Sequence, residues 1–146
     1  MKHNLLLLLF LSIAFSLSAQ KKAKLQSPNG EIKVSLSISD KIYYTISYNN
    51  NVLLENNHLS LNLGNETLGL NPKLSGQKTN KVNEVLTPVV PLKYSSVNNQ
   101  YNSLLLTFKG DYSVEFRAFD DGIAYRFVTN KKGDVEVLGE DFAINF

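Results

Sequence analysis

An all-β chain folded as an antiparallel sandwich is what this sequence predicts, and three observations carry the prediction. Apolar residues recur with period two through most of the chain, turn residues separate the runs at spacings of roughly 8 to 12 residues, and helical spacing is hard to find. Ile32, Val34, Leu36 and Ile38 alternate with Lys33, Ser35, Ser37 and Ser39, as a strand with one buried face requires. After Asp40-Lys41 the alternation resumes with Ile42, Tyr44, Ile46 and Tyr48, which makes a hairpin followed by an Asn49-Asn50-Asn51 turn. Two further short strands are predicted, one over 52–54 and one carrying Leu59, Leu61 and Leu63, with Gly64 and Gly69 bracketing a loop.

From Asn71 to Pro91 the alternation weakens around Pro72, Gly76, Pro88 and Pro91, so the sequence predicts an irregular connection holding one short strand, Val82 to Leu86. Order returns at Tyr101. Leu104, Leu106 and Phe108 face one way, Lys109-Gly110 turns, and Val114, Phe116 and Ala118 are followed by Ile123, Tyr125 and Phe127. A turn at 130–133 precedes Val135 and Val137, and the last residues stay apolar and strand-like to Phe146. About nine or ten short strands result, the pattern of an antiparallel sandwich or barrel, of which the sandwich is the expectation.

Composition narrows the function. The first twenty residues have a basic start at Lys2, an apolar run from Leu5 to Phe15 and small residues at Ser18 and Ala19, which is the pattern of an export signal over residues 1–20 rather than of a membrane span. The product is expected to be exported, periplasmic or extracellular, with no membrane attachment after cleavage. There is no cysteine, so neither a lipid-modified cysteine nor a disulfide is available and an apolar core must hold residues 21–146. The 15 basic and 13 acidic residues nearly cancel, and Arg117 and Arg126 are the only arginines, which argues against a nucleic-acid partner. His58 is the only histidine after the signal and is expected on the surface; no histidine or cysteine metal site can be assembled.

The stretch RAFDDGIAYRF, 117–127, holds two adjacent aspartates between alternating runs. With Asp120 and Asp121 as the two turn residues, Glu115 falls opposite Arg126 and Phe116 opposite Tyr125; with Asp121 and Gly122 as the turn, Arg117 would face Arg126 and the like charges would repel. A three-residue loop ending in a bulge at Gly122 is also compatible, and the register stays open between the first and third options. Gly122 is expected at positive φ, with the aspartates capping the turn. Neighbouring residues on a tight exposed turn point apart, so Asp120, Asp121 and Gly122 are structural rather than catalytic.

The same stretch, with SPNGEIKVSLSISDKIYYTISYNN (27–50), resembles the N-terminal domain of glycoside hydrolase family 97, bacterial α-glucosidases and α-galactosidases of Bacteroidetes. Here Phe119 and Ile123 stand where the family more often has Tyr and Val. The resemblance implies a β-sandwich of the super-sandwich type, incomplete in this chain, as an accessory domain that packs on a (β/α)8 barrel and helps shape its sugar site. The catalytic carboxylates and the calcium ligands of the family belong to parts absent here, so no catalytic and no metal residue is carried over and the chain alone is not expected to be an enzyme. The strand-like ending fits a truncated sandwich, and the isolated chain is expected to be marginally stable or self-associating.

Two other functions fit the composition. A free-standing carbohydrate-binding sandwich would use exposed tyrosines to stack on an α-linked oligosaccharide, and Tyr43, Tyr101 and Tyr112 are the candidates, since Tyr44, Tyr48 and Tyr125 share apolar faces. A structural β-domain would instead pair through an open edge with a separate protein, such as a barrel supplied in trans.

Overall fold

A computed structural model describes residues 20–90, 93–142 and 144–146, so the expected targeting segment lies, up to residue 19, outside the described residues. The described residues form ten strands: β1 (Lys21–Gln26), β2 (Ile32–Ile38), β3 (Ile42–Tyr48), β4 (Asn51–Asn62), β5 (Thr67–Leu68), β6 (Leu74–Leu86), β7 (Val97–Phe108), β8 (Tyr112–Ala118), β9 (Ile123–Thr129) and β10 (Gly139–Phe142). One sheet runs β1-β2-β3-β4-β10, with β5 also on β4; the other runs β6-β7-β8-β9, and every pairing is antiparallel. The sandwich expected from the periodicity is therefore present.

The inner faces meet in one apolar core. Val34, Leu36, Ile38, Ile42, Tyr44 and Leu59 of the first sheet pack with Leu104, Leu106, Phe108, Val114 and Phe116 of the second. Each of these alternates with a more exposed neighbour, which is why period two was so legible in β2, β7 and β8. Full burial of such a side chain stabilises by roughly 1.5–3 kcal/mol. At the centre Phe116 is completely buried and its ring lies 5.9 Å from Tyr44 and 5.8 Å from Tyr125.

Four expectations need correction. The two short strands predicted between 52 and 63 are one twelve-residue strand, β4, whose pairing with β3 shifts near Ile46. Asn56 takes a left-handed φ of 52° at that irregularity, which puts a break into the alternation without ending the strand. The connection predicted over 71–91 is mostly the thirteen-residue β6, paired with β7 along its whole length. Its side chains are exposed on both faces beyond the core, so no alternation marks it as a strand. Val135 and Val137 lie outside any strand, and the C-terminal strand is β10. Beyond it, Glu55 N–H donates to the Asn145 carbonyl at 3.1 Å and Asn145 N–H to Asn57 Oδ1 at 2.6 Å, fastening the chain end to β4. Tyr48, expected on the apolar face, is 42% exposed near the end of β3.

Candidate functional site

The turn between β8 and β9 adopts the first of the two registers left open. Glu115 pairs with Arg126 and Phe116 with Tyr125, and Phe119 N–H donates to the Gly122 carbonyl at 2.9 Å across Asp120 and Asp121. Gly122 does not occupy the left-handed region, contrary to expectation: the register fixed by the flanking strands closes the turn without it. Asp120 reaches across the sandwich, where its Oδ1 accepts from Asn29 N–H at 2.9 Å. Asn29 belongs to the tight SPNG turn after β1, in which the fully buried Ser27 donates to Asn29 Oδ1 at 2.6 Å and accepts from Ile32 N–H at 3.0 Å. The two quoted sequence motifs are thus one hydrogen-bonded corner, built from turns 91 positions apart.

The tyrosines divide differently from expectation. Tyr101 is 7% and Tyr112 5% exposed, so neither offers the open face that stacking on a sugar needs. The Tyr112 ring stacks on Phe108 at 5.0 Å, and its hydroxyl accepts from Gly69 N–H at 3.2 Å. Gly69 has φ +87°, and a Cβ there would meet the Leu59 carbonyl at 2.8 Å, so only glycine lets the backbone approach. Tyr43 is half-buried, donates to Asp40 at 3.2 Å and lies edge-on to His58 at 6.2 Å. His58 contacts Asp141 at 3.2 Å and is itself largely covered, rather than freely exposed.

The candidate site lies where β9 and β10, the last strands of their sheets, leave a cleft of about 500 Å³. Tyr44, Leu61, Tyr125, Phe127, Glu140 and Phe142 line it. Tyr125 donates its hydroxyl to Glu140 Oε1 at 2.6 Å. Desolvation raises the pKa of Tyr125 well above the ordinary phenol value, and the bonded Glu140 carboxylate raises it further; desolvation and then the same charge also raise that of Tyr44. Next to the cleft, Glu115 accepts from Arg126 at 2.6 Å and Arg117 at 3.2 Å. Burial opposes ionisation of Glu115, but the two guanidinium hydrogen bonds and charges outweigh it and hold its pKa below the usual value. Nothing in the sequence singled out Glu140, because it sits on an exposed four-residue strand with no flanking alternation.

Chemically the cleft is an aromatic and apolar trough with one carboxylate. Glu140 and Asp141 are consecutive on β10 and project to opposite faces, Glu140 to Tyr125 and Asp141 to His58 and Lys41. Glycoside hydrolysis needs two carboxyl groups flanking the same bond, which consecutive strand residues do not supply. Among the described residues no group of three or more His, Cys, Asp or Glu comes together that could hold a metal ion.

Fold and cleft together define an antiparallel β-sandwich domain with one open flank. The family model described as Glycosyl-hydrolase 97 N-terminal matches residues 25–146, and the chain belongs to that family. It is 42% identical over 141 residues to the retaining α-galactosidase of Bacteroides thetaiotaomicron, covering 96% of this chain and 21% of that one. A Glycoside Hydrolase Family 97 enzyme from Pseudoalteromonas sp. strain K8, solved in complex with panose, has a TM-score of 0.70 and 26% identity over 81% of this chain and 19% of its own. A β-arabinopyranosidase crystal structure gives a TM-score of 0.73 and 25% identity over 82% of this chain and 20% of its own. The chain therefore spans about a fifth of the length of the relatives it matches, and it corresponds to the N-terminal domain of family 97 enzymes.

Proposed function

We propose that this chain acts as the N-terminal accessory domain of an exported α-glycoside hydrolase, packing on a catalytic (β/α)8 barrel and forming part of the surround of its α-linked oligosaccharide site. The observation that carries this is the family match over residues 25–146 combined with coverage of only a fifth of each relative. Its role in this reading is to scaffold, with the hydrolytic carboxylates supplied by the barrel. The open β9/β10 flank supports it, because an aromatic cleft between unpaired strand edges is a surface that further polypeptide would cover. The composition of residues 1–20 supports export.

The test is peptide mapping and intact mass of the native product from the source organism, with assays on chromogenic α-galactosides and α-glucosides. A product longer than 146 residues that starts near Gln20 or Lys21 and hydrolyses one of these substrates is expected, with the isolated chain inactive. A native product ending at Phe146 that binds sugar or a separate protein by itself would replace this reading.

A further inference from the structure

The β6–β7 ribbon carries a change of face that the core does not explain. Pairing runs without a shift from Gly76 to Leu86, so residues of one parity stay on one side throughout. In the half nearest the β7–β8 turn, Leu104, Leu106 and Phe108 are buried on the side facing the first sheet. That cover stops at Asn102, whose side chain donates to the Gln26 carbonyl at the end of β1 at 2.8 Å. Past this point the apolar residues lie mainly on the other, outward side. Val82 pairs with Tyr101 and Leu86 with Val97, while Asn83–Gln100 and Lys81–Asn102 occupy the inward side with Val85 as its apolar member.

The outward stripe continues onto β8. Tyr101 packs between the Phe119 ring at 5.0 Å and the Arg117 guanidinium at 4.8 Å, and Arg117 leads to Glu115 and the largely exposed Arg126. Leu86 and Val97 remain 46% and 44% exposed at the far end. A two-stranded ribbon bare on both sides is marginal in water, and an apolar stripe on the side away from the core adds to that cost.

We infer that this outward face of the second sheet, running from Leu86 and Val97 through Val82 and Tyr101 to Phe119 and Arg126, is covered by the part of a family 97 enzyme that has no counterpart in this chain. This rests on the accessory-domain reading above and names the surface that the reading requires. Four-fifths of each relative has no counterpart in this chain, so the occupant is polypeptide of the same enzyme. Its matching surface is apolar opposite Leu86 and Val97 and acidic opposite Arg126.

Hydroxyl-radical footprinting distinguishes the cases, comparing the native product purified from source cells with the recombinant 146-residue chain. Oxidation of Leu86 and Val97 is expected to fall about fivefold or more in the native product, as a water-excluding interface core implies, while Val85 on the opposite side of the same ribbon stays reactive. If the native product is longer than this chain and Leu86 and Val97 react as in the isolated chain, the docking face is wrong and the accessory-domain reading stands. If the isolated chain is a dimer in which those two residues are already protected, a second copy is the occupant and the inference is overturned. A native product no longer than this chain overturns both.

Discussion

On one flank of the sandwich, β1 and β6 end the two sheets with Lys21, Lys22, Lys24, Lys78 and Lys81, and Lys21 Nζ reaches the Leu74 carbonyl at 2.8 Å to tie the sheets together. On the other, β9 and β10 carry Tyr125, Arg126, Phe127, Glu140, Asp141 and Phe142, with Ile144 and Phe146 exposed beyond them. Lysines along an edge strand deter pairing with another chain, since an added strand would have to cover their charges. Where those lysines lie, on β1 and on β6 up to Lys81, the first flank is finished against solvent. The second exposes apolar surface beside unpaired backbone, and there the domain has room for a neighbour.

Several measurements test the difference between the two flanks. The largest effect is expected from core truncation: Leu106→Ala, fully buried between the sheets, costs about 2–5 kcal/mol, whereas Phe127→Ala on the open flank, half-buried, costs roughly 1–2 kcal/mol. Urea unfolding of both variants measures this; equal losses would mean the open flank is as well packed as the core.

Next in size, Tyr125→Phe removes the hydroxyl bonded to Glu140 and is expected to cost about 1–2 kcal/mol in the same assay. The raised pKa of Tyr125 gives this a pH signature. Its contribution is complete below the unfolded phenol value of about 10 and is lost as pH rises above it, so wild-type stability falls in strong base by more than that of the variant. If the two chains lose stability in parallel there, Tyr125 is not the group responsible.

Glu115 behaves with the opposite sign. Its folded pKa lies below the unfolded value, so its contribution is present above about pH 4.3 and disappears as pH falls through the folded value. Glu115→Gln should therefore lower stability at pH 7 and flatten the acid limb of a thermal-denaturation profile; an unchanged acid limb would show that the two arginines do not hold this carboxylate.

The smallest effect on monomer stability, within about 0.5 kcal/mol, comes from Ala124→Lys on β9. Its consequence lies in association: a lysine on that edge should shift the isolated chain toward monomer in light scattering. Lys78→Val with Lys81→Val on β6 should do the reverse. A wild-type chain that is already monomeric with a cooperative melt would remove the basis for the contrast.

Much of the fold was legible because burial on one side imposes alternation. That holds for β2, β3, β7, β8 and β9, and like-charge repulsion correctly excluded the register that sets Arg117 against Arg126. β1 was hidden because KKAKLQ offers only Ala23 and Leu25 to the core among four polar residues. β6 was hidden for a related reason: much of it lies past the core, so neither face needs to be apolar in the usual order. The tyrosines show the limit for the site. Tyr101 falls on the polar side of its strand's alternation yet is buried, because Arg117 of the adjacent β8 and Phe119 just past its end close over it.

The class of fold, the run of turns and the kinship carried by the SPNG and FDDG segments can be read from the sequence, since each depends on local spacing and backbone preference. Which flank stays open, the bond from Asn29 to Asp120, the meeting of Tyr125 with Glu140 and the change in the apolar side of β6–β7 beyond Asn102 arise instead from the packing of the two sheets. Those are contacts between distant segments. They follow from how two twisted sheets stack and where one stops covering the other, which no local pattern encodes.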